Sequence, residues 1–245
     1  MAEIEIMDRC NGIVVDILKR LAERVQPGVS TAELDRFAEE ATREAGAVPA
    51  FKGYRGFPAS LCTSVNNEVV HGIPSPKRAV QEGDILSLDF GVILEGYYGD
   101  SALTVPVGTI SPKAQRLLDV TRESLNRGIA RMQSGNHLSD VSNAIQTHVE
   151  SEGYSVVREF VGHGIGHQLH EDPQVPNFGS PGHGPILREG LVLAIEPMVT
   201  EGNPDVLIGD DDWTVRSVDG GWSAHFERSV AVTENGPLLL GGKPI

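Results

Sequence analysis

The chain has 245 residues, 40% of them apolar, and its 34 acidic and 20 basic side chains give a net charge of −14. This acidic excess argues against a nucleic-acid binder or a protein that binds anionic membranes, because both need a basic face. The length allows one large domain or two small ones, and the apolar content suffices for a sizeable core, which excludes intrinsic disorder.

Cysteine usage and the amino terminus bear on the compartment. Cys10 and Cys62 are too few for a disulfide framework in a chain of this size, which favours a reducing compartment. The segment MAEIEIMDRC at the start lacks the basic residues and continuous apolar stretch of a signal peptide. No apolar run approaches the ~18 residues of a membrane span. We therefore expect a soluble cytoplasmic protein.

Two helices are predicted at the start of the chain. Apolar residues recur at helical spacing over residues 4–25, and Pro27-Gly28 ends the run. Ser30 and Glu33 then form a capping-box pattern ahead of a second helix, which Gly46 closes.

A β-hairpin is predicted next, and it carries two acids. Strand-like segments at 84–94 and 97–105 flank the turn signal Glu95-Gly96. With a two-residue turn, Asp100 shares a sheet face with Asp89, one diagonal step of about 7–8 Å away. Like charges on one buried face call for a cation, since an isolated buried carboxylate is costly. The alternative for Asp100 is an ordinary turn residue.

The same series of elements then restarts. Ser111-Pro112 supplies an N-cap and a proline at the first helical position, for a third helix that runs on to Met132. Apolar residues over 138–149 predict a fourth helix, which Gly153 ends.

A constant offset of 107 in residue number relates the two series. The segment EGDILSLD at 82–89 falls on EGLVLAIE at 189–196, so that Asp89 corresponds to Glu196. Chance matching is the alternative, although several segments agree on this offset. The duplication predicts an α+β fold in which antiparallel strands are flanked by helices and the halves are related by a pseudo-twofold axis. We expect one domain over 1–245, with halves of approximately 1–107 and 108–245.

Histidines accompany these acids. His71 and His163 each open a His-Gly-Ile tripeptide ahead of an acidic strand, and the segment GHGIGHQLHEDP adds His167 and His170. A helix would present residues 163 and 167 on one face, but the glycines disfavour a helix. A phosphate-binding glycine loop is a weak alternative. Considered without the other motifs, Glu227 is predicted to be a solvated strand residue.

Six segments of the chain carry a resemblance to a known enzyme family. They are NNEVVHGIP (66–74), GDILSLDFGV (83–92), GYYGDSALTV (96–105), FVGHGIGHQLHEDPQVPNF (160–178), IEPMV (195–199) and AHFERSVAVTENG (224–236). Over essentially its whole length the chain resembles the type I methionine aminopeptidases of the short bacterial form. The resemblance implies the pita-bread fold, a pseudo-symmetric α+β domain, in agreement with the duplication.

The resemblance also implies a metal centre. Its ligands would be Asp89, Asp100, His163, Glu196 and Glu227, with Asp100 and Glu227 bridging two divalent ions. Oxygen and imidazole ligands suit Co, Mn, Fe(II) or Zn, and the ligand types alone do not choose among them. Such a pair of ions can activate one water for attack on a peptide carbonyl.

Roles for the surrounding residues follow from the same resemblance. Glu196 would accept the proton of the attacking water, His170 would stabilise the oxyanion, and His71 would hydrogen-bond the scissile amide nitrogen. The pocket for the methionine side chain maps onto Tyr54, Phe57, Cys62, His71, His170 and Trp213. Leu169 and Phe57 depart from the aromatic residue and the tyrosine that are frequent in the family, so the shape of the pocket and the preference for the second substrate residue stay open.

The implied activity is removal of the initiator methionine from nascent proteins, with a small second residue preferred. The expected partners are peptides with an amino-terminal methionine and nascent chains, with the ribosome as a possible site of action and a monomer as the oligomeric state. Alternatives are an Xaa-Pro aminopeptidase, a non-catalytic module of the same fold, and a carboxylate-pair glycosidase that only the acids support. Residues 203–221 are predicted as a loop region of open role.

Overall fold

The structure is a computed structural model that describes residues 2–242. Its four described α-helices agree with the predicted ones. They are α1 (Ala2–Ala22), α2 (Thr31–Glu44), α3 (Pro112–Ile129) and α4 (Leu138–Ser151). A short 3-10 turn spans Tyr54–Gly56. In the part of the chain described, no helix combines the length and apolar character needed to cross a membrane.

Fifteen strands are described within residues 2–242. In the first half they are β1 (Val48–Pro49), β2 (Leu61–Val65), β3 (Glu68–Val70), β4 (Ile85–Leu94) and β5 (Tyr97–Pro106). In the second half they are β6 (Ser155–Val156), β7 (Gly162–Gly164), β8 (Glu171–Val175), β9 (Val192–Ile195), β10 (Met198–Thr200), β11 (Val206–Ile208), β12 (Val215–Ser217), β13 (Ser223–His225), β14 (Glu227–Thr233) and β15 (Gly236–Leu239).

Nine of these strands form one antiparallel sheet, in the order β1-β4-β5-β14-β9-β7-β8, with β2 also paired to β4 and β15 to β14. Strand β14 lies between β5 of the first half and β9 of the second, so it joins the halves through backbone hydrogen bonds. The helices pack on the apolar side of the strands, as in the layered arrangement of α+β folds. The predicted fold class is confirmed.

The constant offset between the halves recurs in the coordinates. It carries both ends of α2 onto the ends of α4, and it carries the first residue of β4 onto the first residue of β9. Isolated bridges join Ser30 to Ala79 and, at the same offset, His137 to Ile186. Ser30 and Glu33 form a capping box at the start of α2, and at the start of α4 Asp140 accepts from the His137 N–H, as Glu33 does from Ser30. The repeated sequence signals therefore encode the same local structure twice.

The first and third helices end earlier than predicted. The amide of Arg24 donates to the carbonyl of Leu21, and that of Met132 donates to the carbonyl of Ile129. These bonds span three residues instead of four, so the chain tightens and leaves α-helical geometry before the last apolar position. Apolar periodicity continues through such a turn and cannot mark where it starts.

The region 203–221 is more ordered than a loop. Strands β11 and β12 lie within it, and β12 pairs with β3 in a separate three-stranded sheet. Both strands are very short, and a glycine and a run of aspartates separate them, so no periodic pattern announces them. The expectation of an irregular region was therefore wrong. Its consequence is that Trp213 is carried on a connection anchored to β3.

Candidate metal centre

Residues predicted from separate parts of the sequence line one pocket of about 320 Å³. The eleven predicted site residues found in its lining are Tyr54, Phe57, Cys62, His71, Asp89, Asp100, His163, His170, Glu196, Trp213 and Glu227. Carboxylates and His163 occupy one part of the lining, and apolar side chains form another. A substrate in this pocket would meet charged and apolar surfaces together.

The hairpin of β4 and β5 carries two of the carboxylates. Asp89 pairs with Ala102, and Asp100 pairs with Gly91, which is the predicted register. The turn residues Glu95 and Gly96 both have positive φ, the conformation that a two-residue hairpin turn requires. Asp100 is thus a buried strand residue, and its alternative as an ordinary turn residue is wrong.

Strand β14 brings in the third carboxylate. Glu227 pairs with Ala102, the same residue that faces Asp89 from the other side, so a row across three strands holds two acids. Glu227 is 2% exposed, so its reading as a solvated strand residue is wrong. Glu196 follows the last residue of β9, directly after Ile195, which pairs with Arg228 on β14. The two acids at the end of β9 and the start of β14 are therefore neighbours.

His163 lies in the middle of β7, between two glycines. A Cβ on Gly162 would stand 2.4 Å from the carbonyl oxygen of Ala194, and one on Gly164 would stand 2.4 Å from that of Asp172. The glycines therefore let β8 and β9 approach β7 closely on both sides, in place of the helix or phosphate loop that the pattern also allowed. His167 lies outside the pocket lining, with its ring 4.1 Å from that of Tyr97.

The donor atoms fit a divalent cation. One ligand atom each of Asp100, His163 and Glu227 lie within 4.8 Å of one another. Among the described residues, Asp89 Oδ1, Asp100 Oδ1 and Glu227 Oε1 are buried without a hydrogen-bond partner. His163 Nδ1 is 2.9 Å from the carbonyl oxygen of Gly164 and donates to it, which leaves Nε2 with a free lone pair. The arrangement matches what metal ligands require.

Burial shifts the pKa of every carboxylate in this centre. It raises the pKa of Asp89 to about 7 and holds those of Asp100, Glu196 and Glu227 well above their usual range. Like charges on the neighbouring acids push the last three in the same direction. A divalent cation reverses this balance, because it favours the deprotonated form of each carboxylate.

Apolar side chains form the wall beside the centre. The rings of Phe57 and Trp213 meet edge to face with centroids 5.1 Å apart. Cys62 is buried and pairs with Asp89 across β2 and β4, so it joins this wall to the carboxylates. Leu169, also buried, lines the pocket. The wall can accept a flexible apolar side chain.

Two histidines flank the carboxylates. Partial burial of the His170 ring and the charges of His163, Arg55 and His71 lower its pKa to about 4. The hydroxyl of Tyr54 lies 2.8 Å from His170 Nδ1, and when it donates to this atom the ring proton is on Nε2. Burial lowers the pKa of His71 to about 4 as well, and its ring packs edge-on against Phe160. Both imidazoles are neutral near pH 7.

Sequence reasoning missed two residues at Glu196. The side-chain amide of Asn177 donates to the Glu196 carbonyl oxygen over 3.0 Å. His225 Nε2 lies 3.7 Å from Glu196 Oε2. A signal for His225 was available, because it stands two residues before Glu227 in an extended segment, where side chains alternate between faces. No comparable signal exists for Asn177.

Comparison with known proteins agrees with this geometry. Residues 5–234 match the profile described as metallopeptidase family M24. The chain is 53% identical to a methionine aminopeptidase of Clostridium acetobutylicum over 97% of the chain and 95% of that protein. It is 52% identical to methionine aminopeptidase 1 of Bacillus subtilis over 97% and 96%. These similarities extend over nearly the full length of each protein.

Solved structures agree at the level of the backbone. A methionine aminopeptidase from Thermotoga maritima superimposes with a TM-score of 0.97 at 44% identity, covering 99% of this chain and 97% of that one. A prolidase from Pyrococcus furiosus reaches a TM-score of 0.81 at 21% identity, covering 100% and 65%. The second likeness concerns the fold alone.

Proposed function

The chain belongs to metallopeptidase family M24, and from that premise we propose that it is an aminopeptidase that removes methionine from the amino terminus of peptides and nascent proteins. The observation that carries this function is the joining of a carboxylate-rich centre to an apolar wall in one pocket. A methionine side chain is unbranched and polarisable, so it can fill the space beside Phe57, Cys62 and Trp213. The first peptide bond would then lie near the carboxylates.

Family membership implies a divalent metal cofactor, and the ligands we propose are Asp89, Asp100, His163, Glu196 and Glu227. Two ions are the number we propose, because four buried carboxylates carry four negative charges when ionised and two divalent ions neutralise them. Co, Mn, Fe(II) and Zn all suit this ligand set. When bound, such ions would polarise a carbonyl and lower the pKa of bound water.

The protein's own groups supply the proton transfers and orientation in this mechanism. Glu196 accepts the proton of the attacking water and passes it to the leaving amine. His170, with its proton on Nε2, donates a hydrogen bond to the oxygen that becomes negative in the transition state. His71 is neutral and accepts a hydrogen bond from the scissile amide N–H, which orients the peptide bond.

Methionine release from Met-Ala-Ser tests this function. Protein stripped with a chelator is resupplied with Mn, Co, Fe(II) or Zn in separate reactions, and free methionine is measured. We expect loss of activity on stripping and recovery with at least one metal. If no metal restores release, the proposed function is wrong.

A peptide with proline in the second position distinguishes a methionine aminopeptidase from an Xaa-Pro aminopeptidase. Xaa-Pro enzymes share the fold, as the prolidase likeness illustrates, so cleavage before proline is the activity to test against. We expect rapid cleavage of Met-Ala-Ser and little cleavage of Met-Pro-Ser. Preferential cleavage of Met-Pro-Ser would favour the Xaa-Pro alternative. A folded protein that binds no metal and cleaves neither peptide would favour the non-catalytic one.

We further propose the setting in which this activity operates. The protein acts in the cytoplasm as a monomer, with residues 1–245 as one domain, on chains that emerge from the ribosome. Two observations support a reducing compartment: Cys10 and Cys62 are both free thiols, and both are buried. Sedimentation of the purified protein, alone and with ribosomes, tests the oligomeric state and the ribosome contact.

A further inference from the structure

His225 is a buried histidine that the proposed mechanism does not use. It ends β13, is 1% exposed, and stands two residues before Glu227. Neither Nδ1 nor Nε2 has a hydrogen-bond partner among the described residues. A buried polar atom that makes no hydrogen bond costs free energy and is uncommon in folded proteins. The position of this ring therefore requires a reason beyond packing.

The Glu196 carboxylate lies between two imidazoles. Its Oε1 is 3.5 Å from His163 Nε2, and its Oε2 is 3.7 Å from His225 Nε2. A shortening of about half an ångström would bring the His225 contact into the range of a hydrogen bond. Because His163 Nε2 is the atom available to a metal, His225 is the imidazole left to act on Glu196.

The backbone of His225 is held rigidly enough for such a role. Its N–H donates to Thr104 Oγ1 over 2.8 Å, and the Thr104 hydroxyl lies 2.9 Å from its carbonyl oxygen. The same hydroxyl is 2.8 Å from Ser87 Oγ, and His225 also pairs with Met198 on β10. Contacts from β5 and β10 thus fix the position from which the ring extends, and β4 in turn holds Thr104.

We infer that His225 is a positioning residue that donates a hydrogen bond from Nε2 to Glu196 Oε2 and so holds the carboxylate in the orientation for proton transfer. The inference rests on the proposed function, in which Glu196 is the proton acceptor and a metal ligand. Partners that orient a metal ligand typically contribute 10–100-fold to metal affinity or activity, so the effect is measurable.

Matched substitutions isolate the hydrogen bond from the packing. Methionine and glutamine have similar length and no branching, but only glutamine can donate to Glu196, so H225M and H225Q form a pair. H225N keeps the amide but shortens its reach. The control is H148M, because His148 is also a buried histidine whose Nε2 has no hydrogen-bond partner in the described part of the chain, and it lies on α4, outside this pocket.

Each variant is assayed for methionine release from Met-Ala-Ser and titrated with Co(II) by calorimetry. For H225M and H225N we expect kcat about 10–100-fold below wild type, KM within about threefold, weaker Co(II) binding and an unchanged number of bound ions. H225Q should stay within about fivefold of wild type, and H148M should match it. Circular dichroism shows which variants are folded. If H225M does not fold, the comparison of H225N with H225Q decides the result.

Three results would overturn the inference. A wild-type kcat in H225M or H225N would show that the ring does not act on Glu196. Equal losses in H225Q and H225M would assign the effect to packing. Loss of a bound Co(II) ion, or a changed Co(II) absorption spectrum in H225Q, would make His225 a ligand. Absence of methionine release by the wild type would instead reject the proposed function itself.

Discussion

Asp89 and Glu196 occupy equivalent positions in the two halves of the chain, yet the surroundings of the two carboxylates differ. Asp89 lies inside a ten-residue strand of a long hairpin, and its Oδ1 has no hydrogen-bond partner among the described residues. Glu196 stands directly after the end of a four-residue strand, with an imidazole near each carboxylate oxygen.

This difference shows that the placing of an acid and its chemical surroundings depend on different parts of the fold. The repeated helices, caps and strand starts determine where each acid is placed along the chain. The parts that do not repeat, namely the β4–β5 hairpin and the strands that supply His163 and His225, determine what lies around it. An acid whose buried oxygen makes no hydrogen bond to the described residues suits the binding of a cation, whereas one with an imidazole near each oxygen suits proton transfer. The following predictions test whether equivalent positions have diverged in this way.

The largest effect should come from Glu196→Gln. Glutamine keeps the size of the side chain and an oxygen for a metal, but it cannot accept the proton of the attacking water. We expect kcat to fall about 10²–10⁴-fold. Activity on Met-Ala-Ser and metal content are measured together, with the exposed Glu189→Gln as the control. Near-normal turnover with both metals bound would reject the role of Glu196.

Asp89→Asn should affect binding more than chemistry. Loss of a direct ligand costs at least as much as loss of an orienting partner, so we expect metal affinity to fall by roughly 100-fold or more. Activity should recover in part at high metal concentration, unlike that of Glu196→Gln. Calorimetric titration and activity against metal concentration are the measurements. If neither variant recovers with added metal, the two acids have not diverged in role.

Tyr54→Phe tests a link between the halves. Tyr54 belongs to the first half, and its hydroxyl lies 2.8 Å from Nδ1 of His170 in the second half. When this hydroxyl donates, the proton of the neutral ring is on Nε2. Removing one hydrogen bond of this kind costs about 1 kcal/mol, so we expect kcat to fall roughly tenfold or less. Tyr154→Phe, outside the pocket, is the control. A change in KM alone would make Tyr54 a substrate contact only.

Local features of the fold were predictable because they depend on neighbouring residues. The turn at Glu95-Gly96 sets the register of Asp89 and Asp100, and the four-residue pattern from Ser30 to Glu33 marks the start of α2. The insertion of β14 between β5 and β9 was not, because long-range strand pairing leaves no local pattern. For this reason the place of Glu227 came from family resemblance. His225 was missed although the alternation of side chains in its segment places it on the same face as Glu227.

The smallest expected effect is on the stability of the folded protein, through the metal centre to which both halves contribute carboxylates. Burial raises the pKa of Asp89 to about 7, far above the roughly 3.9 of an unfolded aspartate, so the folded metal-free protein holds a proton that the unfolded chain has released. Stability contributed this way is lost as pH rises through the folded pKa.

An unfolded histidine is still about half protonated at pH 6.5, whereas burial lowers the folded pKa values of the site histidines, so these groups oppose the loss until about pH 7.5. Above about pH 7.5 the carboxylates whose pKa values are held well above their usual range dominate the change. We expect the Tm of the metal-free protein to fall by about 3 °C between pH 7.5 and 9.5, and the Tm of the metal-loaded protein to change less. Metal-free Asp89→Asn should show a smaller fall than the wild type, because one of the titrating groups is gone. Parallel Tm curves for the loaded and metal-free proteins would mean that the carboxylates of the two halves do not share a cation.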